Sequence, residues 1–172
     1  AGEFLKFIEN DFESFGFEPD QDARKAAQFK TSKSKIVNDI EIIPDGSLSA
    51  ITLWHVFEHI GNQDEMLEKF SRKLQPKGLL IIAVPNPTSY DALHYREYWA
   101  AYDVPRHIYH FSKKGMENLI AKKPNWKMRK IKPLILDSFY IAMLSEKYKK
   151  SPLFWLKAMV YGGISNFKAS FS

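Results

Sequence analysis

A continuous apolar run, Leu79 to Val84, constrains the fold of this chain more than any other feature of the sequence. It has the length of a β-strand, and Pro85-Asn86-Pro87 closes it. Such a run favours a strand that is buried on both faces, as in a parallel sheet covered by helices. Residues 62–74 before it have an apolar stripe at helical spacing and a capping-box pair, and Pro76-Lys77-Gly78 is expected to end that helix.

Shorter segments with strand-like patterns alternate with amphipathic helices along the rest of the chain. Strands are predicted at 15–18, 35–37 and 50–53, and helices at 2–12 and after the capping residue Asp20. This alternation predicts an α/β fold with right-handed crossovers. Ligands of such sheets bind beyond the carboxyl ends of the strands. The residues at those positions are Glu18, Asn38, Asp39, Trp54, His55, Pro85 and Asn86.

Composition excludes several classes of protein. With 172 residues, of which 45% are hydrophobic and 26% charged, the chain suits one globular domain rather than a disordered or fibrous protein. Cysteine is absent, which excludes disulfides, thiolate zinc sites and a cysteine nucleophile and is compatible with a cytoplasmic location. No apolar run reaches the roughly 18 residues of a membrane span, and no signal-peptide pattern opens the sequence.

Charge is distributed unevenly along the chain. Residues 1–112 contain 12 Lys and Arg against 17 Asp and Glu, a balance of −5, whereas residues 113–172 contain 13 against 3, a balance of +10. An anionic partner would therefore meet the last third of the chain, although the same lysines are equally typical of an ordinary solvated surface. They occur as Lys-Lys pairs without interleaved aromatics, so nucleic acid is not an expected partner.

The stretch His55 to His59 matches H-x-x-E-H, the inverted zinc-peptidase motif. In that motif two histidines one helical turn apart bind zinc, and the site needs a continuous helix and a third ligand. Here the stretch directly follows a predicted strand and ends at Gly61-Asn62, a break and a new helix cap. We therefore expect no metal, and expect a strand-to-helix loop in which Trp54 and His55 line a ligand pocket while His59 packs or bonds locally.

The densest polar and aromatic cluster lies between residues 102 and 111. It contains Asp103, Arg106, His107 and His110, which offer a cation and two proton acceptors in one loop. Histidine suits a general base because its charge changes near neutral pH. The alternative is a rigid loop in which Asp103 pairs with Arg106 and one histidine donates to a backbone carbonyl, and the residues alone leave both open.

Residues 151–172 carry an apolar face with Trp155 and Phe171, flanked by Lys157 and Lys168. This pattern is typical of a helix that lies in a membrane interface. Packing into the core is the alternative, and it is slightly favoured because the Gly162-Gly163 pair weakens a long helix.

Read in order, Glu18, the stretch Trp54 to His59 and the segment Gly78 to Asn86 resemble a class I S-adenosylmethionine-dependent methyltransferase. More narrowly, the chain is similar to a bacterial branch related to ubiquinone-pathway methyltransferases, whose members carry W-H-V-x-E-H and D-x-P-R-H-x-x-H-F. Residues 103–111 match the second motif. The resemblance implies a Rossmann-like, doubly wound, mostly parallel sheet.

The resemblance also implies S-adenosylmethionine as the cofactor. The residues that would hold it are Gly2, Glu18, Pro19, Asp39, Ile40, Leu53, Trp54 and His55. Glu18 would bind the ribose, Asp39 and Ile40 would lie along the adenine, and the last three would border the methionine half. Gly2 would be the last glycine of the family's glycine-rich turn.

Methyl transfer is an in-line displacement, in which the protein mainly holds the acceptor and the methyl group in line. The resemblance implies a small-molecule or lipid-linked acceptor. An oxygen or nitrogen acceptor also loses a proton, for which His107 or His110 is the candidate base. Asp103 would orient that histidine, and Arg106 would hold an anionic part of the acceptor.

The sequence departs from the family pattern at both ends. The family opens with a strand and the turn D-x-G-x-G-x-G, and this sequence starts inside that turn, so we expect the first strand and a last strand of the sheet to lie outside it. The resemblance assigns residues 1–150 to the cofactor-binding domain and residues 151–172 to its basic, apolar helical extension. The alternative function is a non-catalytic Rossmann-like domain whose basic last third contacts a membrane surface or another anionic partner.

Overall fold

A computed structural model describes residues 1–170 and divides the chain into two compact units. The first unit consists of Ala1–Ile51 and Asp64–Leu80, and the second of Thr52–Gln63 and the residues from Ile81 onward. In chain order the elements are α1 (Glu3–Ile8), β1 (Phe15–Phe17), α2 (Gln21–Lys30), β2 (Lys35–Val37), β3 (Leu48–Trp54), α3 (Gln63–Lys73), β4 (Leu74–Ala83), α4 (Tyr90–Tyr95), α5 (Lys113–Ala121), α6 (Ile135–Tyr148) and α7 (Phe154–Ala169).

The first unit contains a parallel pair of strands. β1 pairs with β2, and Phe17 lies opposite Val37. Helix α2 connects them and begins where the sequence predicts, because Asp20 is its N-cap and accepts a hydrogen bond from the backbone N–H of Ala23 at 2.8 Å. The predicted α/β fold with parallel strands is confirmed.

The remaining two strands, β3 and β4, also pair with each other. The backbone N–H that follows β3, that of His55, donates to the carbonyl of Ala83, the last residue of β4, at 3.0 Å. The carboxyl ends of these two strands therefore meet. This is the arrangement that places the residues after both strands at one edge of a sheet.

Strand β4 differs from the prediction in its start and in its burial. It begins at Leu74 rather than Leu79, because a proline disfavours the helical conformation of the residue before it and Pro76 thus ends α3 early. Leu79 and Ile81 are 39% and 42% exposed. The expectation of burial on both faces is wrong, since one face of β4 has no complete cover within residues 1–170.

Helix α7 packs against α6 and α4 in the second unit. Tyr95, Trp99 and Ala158 are among the buried side chains of this core. A Cβ on Gly162 of α7 would lie 3.0 Å from the Cα of Phe139 on α6, so the close approach of the two helices requires glycine there.

Several large apolar side chains of α7 face outward. Trp155 and Met159 are 57% and 59% exposed, whereas the buried residues of the helix, Ala158, Gly162 and Ser165, are small. Core packing, the alternative that the sequence favours for this segment, is therefore wrong for Trp155 and Met159. Phe171, the last aromatic of the predicted face, lies outside the described residues. None of the helices within residues 1–170 is long and apolar enough to cross a membrane.

Candidate functional site

Two acidic side chains lie at one edge of the β1–β2 pair, in the first unit. Glu18 follows β1 and Asp39 lies just beyond β2, and the carboxyl ends of these strands are neighbours. The backbone N–H of Glu18 donates to the carbonyl of Val37 at 3.0 Å, and its own carbonyl accepts from the guanidinium of Arg24 at 2.9 Å. The Glu18 carboxylate accepts the N–H of Asp20 at 3.0 Å. The edge is thus fixed and rich in hydrogen-bond acceptors.

The other three residues predicted for the cofactor in this unit have different surroundings. Gly2 has φ of 83°, and a Cβ there would lie 3.0 Å from the Cα of Ala27, so both conformation and space require glycine. Pro19 is exposed beside Glu18. Ile40 is buried, so its side chain presents little surface to a ligand.

Leu53, Trp54 and His55, the remaining predicted cofactor residues, lie at the carboxyl end of β3 in the second unit. Leu53 is buried in the core. Trp54 and His55 line an open groove of about 450 Å³, whose other wall is formed by residues 133–137 at the start of α6. The two residues predicted to line a pocket therefore share one groove.

The imidazole of His55 lies between two carboxylates. Its Nε2 is 2.7 Å from Oδ2 of Asp137, and its Nδ1 is 3.5 Å from Oε1 of Glu58, an ion pair without hydrogen-bond geometry. The Glu58 carboxylate is the main cause that raises the pKa of His55 to about 9; partial burial opposes it, and Asp137 adds to it. His55 is therefore a cation at neutral pH.

Residues 103–110 form a loop that is tied to the short 3-10 turn Phe57–His59. The backbone N–H groups of Ile108 and Tyr109 both donate to the carbonyl of Glu58, at 3.0 and 3.2 Å. The hydroxyl of Tyr109 donates to the carbonyl of Gly61, just beyond the turn, at 3.1 Å. These bonds hold the loop against the end of the turn.

The two candidate bases of this loop have defined tautomers. Nδ1 of His107 is 2.9 Å from the carbonyl of Ala101, and Nε2 of His110 is 3.0 Å from the carbonyl of Tyr102. Since a carbonyl oxygen only accepts, each of these nitrogens carries a proton, and in the neutral ring the other nitrogen has the lone pair. The side chain of His107 is 9% exposed, whereas His110 is exposed.

Asp103 and Arg106 pair with each other. Nη2 of Arg106 is 2.7 Å from Oδ1 of Asp103, while Oδ2 of Asp103 is 3.9 Å from Nε2 of His107, too far for a hydrogen bond. We expected Asp103 to orient the histidine. It makes no hydrogen bond to His107, because its carboxylate is engaged by Arg106. The backbone carbonyls orient the histidines instead, as the rigid-loop alternative predicts.

Sequence reasoning missed the roles of Glu58 and Asp137. The side chain of Glu58 is 0% exposed, and neither carboxylate oxygen has a hydrogen-bond partner among the described residues. The H-x-x-E-H match contains Glu58 and was a signal for it, although residues 57–59 form a single 3-10 turn rather than the helix of that motif. Asp137 is 82 positions from His55, and no local pattern marks it.

Comparison with known proteins gives one family and one similar fold. A family model described as a methyltransferase domain matches residues 1–129. Among solved structures, a SAM-dependent methyltransferase from Archaeoglobus fulgidus is similar, with a TM-score of 0.56 and 21% sequence identity over 87% of this chain and 74% of that chain. At this identity the similarity shows the fold alone. No curated protein matches the chain.

Proposed function

The chain belongs to the methyltransferase-domain family, and on that premise we propose that it transfers a methyl group from S-adenosylmethionine to a small-molecule or lipid-linked acceptor. The family match over residues 1–129 carries this proposal. The similar fold of the Archaeoglobus fulgidus enzyme supports it. Within the family, the motifs at residues 54–59 and 103–111 favour the bacterial branch related to ubiquinone-pathway methyltransferases.

The residues of each unit are chemically suited to part of this cofactor. At the edge of the β1–β2 pair, Glu18 would bind the ribose hydroxyls and Asp39 would lie at the adenine, since carboxylates accept such hydrogen bonds. In the second unit, Trp54 and His55 would border the methionine half. The His55 ring contacts the carboxylate of Asp137, so the groove beside Trp54 combines an aromatic wall with polar groups.

When bound, S-adenosylmethionine supplies an activated methyl group, and the chain positions the acceptor and takes its proton. We assign the proton to Nδ1 of His110, because that nitrogen keeps a lone pair and the side chain is exposed to an incoming acceptor. His107 is the less accessible candidate. The exposed guanidinium of Arg106, anchored by Asp103, would hold an anionic group of the acceptor.

Isothermal titration of the chain with S-adenosylmethionine tests the cofactor. We expect saturable binding that E18Q weakens about tenfold to a hundredfold, the effect of losing hydrogen bonds to a charged group. D22N is the matched control, because Asp22 lies close by in the first turn of α2. No binding at millimolar cofactor, or equal losses in E18Q and D22N, would contradict the proposal.

A second candidate function is peripheral contact with a membrane from the cytoplasmic side, and the outward apolar face of α7 favours it. Trp155, Leu156, Met159 and Val160 are all exposed on this helix. Lys157 lies within this stretch, Lys168 follows it, and residues 113–172 carry a net charge of +10. An apolar face with an aromatic residue and flanking lysines suits the interface of an anionic bilayer, where a lipid-linked acceptor would also reside.

Sedimentation with vesicles tests this contact. We expect the W155S/M159S double variant to bind vesicles that contain anionic lipid at least about tenfold more weakly than the wild type, because it removes apolar area that the interface would bury. F29S is the matched control, since Phe29 is 93% exposed on α2. Binding by the double variant at the wild-type level would overturn the role of α7.

A further inference from the structure

Three side chains of the second unit converge at the loop and the turn described above. One ligand atom from each of Glu58, His59 and His107 lies within 4.8 Å of the others. Bonds of about 2.0–2.2 Å to a shared ion would bring such atoms within about 4 Å of one another. His59 is exposed, whereas Glu58 is buried and His107 is half-buried.

Both imidazoles are oriented as metal ligands usually are. Nδ1 of His59 donates to the carbonyl of Arg106 at 2.8 Å, and Nδ1 of His107 donates to the carbonyl of Ala101 at 2.9 Å. In the neutral rings, Nε2 is therefore the nitrogen that can bind a metal. A histidine that binds a metal commonly donates its other N–H to a backbone carbonyl or carboxylate in this way.

The Glu58 carboxylate supplies an independent observation. It is fully buried, and neither oxygen accepts a hydrogen bond from any described residue. His55 approaches Oε1 at 3.5 Å, and Nε2 of His107 approaches the same oxygen at 3.8 Å. His55 is one basic neighbour of this buried carboxylate, and because neither oxygen is hydrogen-bonded, the carboxylate is available as a ligand.

We propose that Glu58, His59 and His107 bind one divalent first-row transition metal ion, with Zn²⁺ as the ion that suits the donor set. Imidazole nitrogens disfavour Mg²⁺ and Ca²⁺, which prefer oxygen ligands. The exposed side at His59 leaves a coordination position for water or another ligand. The site goes beyond methyl transfer, and it gives His107 the role of a ligand, which agrees with the assignment of the base to His110.

This ligand set differs from the one that the H-x-x-E-H pattern offers. His55 does not belong to it, because its Nε2 is engaged by Asp137 at 2.7 Å. The third ligand comes from the loop that the N–H bonds of Ile108 and Tyr109 hold against the turn.

The test is a titration of the chelator-treated protein with Co²⁺, followed by absorption spectroscopy and competition with Zn²⁺. We expect one equivalent of Co²⁺ to give the visible absorption of a four- or five-coordinate ion, and Zn²⁺ to displace it. E58Q and H107Q should each weaken binding by more than about tenfold, the lower bound for losing even an outer-shell partner. H110Q is the matched control, since it changes an exposed histidine of the same loop and should bind like the wild type.

Failure of the metal site can be told apart from failure of the proposed methyl transfer, because the titration contains no methyl donor or acceptor. Circular dichroism checks that each variant is folded, and an increase of the wild-type melting temperature with Zn²⁺ gives a second measure that needs no variant. Absence of Co²⁺ binding to the wild type would overturn the proposal. So would retention of tight binding by folded E58Q, or a loss in H110Q equal to that in H107Q.

Discussion

At the residue scale, Glu9 shows how a single carboxylate organises a turn in the first unit. It is 8% exposed, and its oxygens accept hydrogen bonds from the backbone N–H groups of Ser32, Lys33 and Ser34, at 3.0, 2.9 and 3.2 Å. These hydrogen bonds lower the pKa of Glu9 from 4.5 to about 2, and the bond from Lys33 has the largest effect. Burial opposes them. The carboxylate acts as a fixed acceptor for three donors between α2 and β2.

The depressed pKa predicts how stability depends on pH. A group whose pKa is lower in the folded state stabilises the protein above its unfolded pKa, and this contribution is lost as the pH falls through the folded value. The melting temperature of the wild type should therefore exceed that of E9Q most clearly above about pH 5, and the difference should shrink towards pH 2. Thermal unfolding followed by circular dichroism at several pH values measures it.

The control for this prediction is E13Q. Glu13 is exposed and contacts Lys35 at 3.3 Å, an ion pair of little value to stability in water. The melting temperature of E13Q should follow that of the wild type at every pH. A difference between wild type and E9Q that does not change with pH would mean that the charge of Glu9 contributes nothing.

At the element scale, a buried aspartate links helix α4 to helix α7. Oδ2 of Asp91 accepts the indole N–H of Trp99 at 2.8 Å, and Oδ1 accepts the hydroxyl of Ser165 at 2.8 Å. D91A should lower the free energy of unfolding by about 1–3 kcal/mol, because it leaves the buried indole N–H without an acceptor. D91N keeps one acceptor oxygen and should lose less. Urea unfolding of both variants measures this, and equal losses would show that the indole bond contributes nothing.

The two adjacent glycines of helix α7 have different surroundings, and this difference gives another prediction. A Cβ on Gly162 would lie 2.6 Å from Cδ1 of Phe139, whereas nothing described lies within 4 Å of a Cβ on Gly163. G162A should therefore destabilise the protein by about 1–3 kcal/mol through overpacking. G163A should stabilise it by up to about 1 kcal/mol, because alanine favours the helix over glycine.

Urea unfolding of the two glycine variants measures this difference. Since both substitutions have the same intrinsic effect on helix propensity, the difference between them isolates the contact of α7 with α6. If G162A and G163A shifted stability equally, the close approach at Phe139 would not limit packing.

At the scale of the whole molecule, the parts that the sequence predicts well are those that short-range rules determine. Asp20 marks the start of α2, and residues 35–37 form the predicted strand, because capping and strand patterns act over a few residues. The sequence misjudged α7, whose Gly162-Gly163 pair does not interrupt the helix. There the packing against Phe139 outweighs the low helix propensity of glycine.

The sequence predicts which residues lie in the candidate loop better than it predicts their contacts. Asp103, Arg106, His107 and His110 do share one loop, yet their hydrogen bonds go to one another and to backbone carbonyls. The complete burial of Glu58 follows from how the loop closes over the turn. Long-range closure of this kind has no signature in a local pattern.

The uneven charge of the whole molecule leads to a last prediction, on binding to vesicles. The net charge of +10 in residues 113–172 should favour anionic over neutral vesicles, since each lysine near such a surface contributes on the order of 1 kcal/mol. Raising the salt from about 0.1 M to about 1 M shortens the Debye length from about 10 Å to about 3 Å and should remove this preference. The apolar contribution of Trp155 and Met159 should remain at high salt. Sedimentation at both salt concentrations, with wild type and W155S/M159S, separates the two contributions; equal binding to neutral and anionic vesicles at low salt would eliminate the electrostatic one.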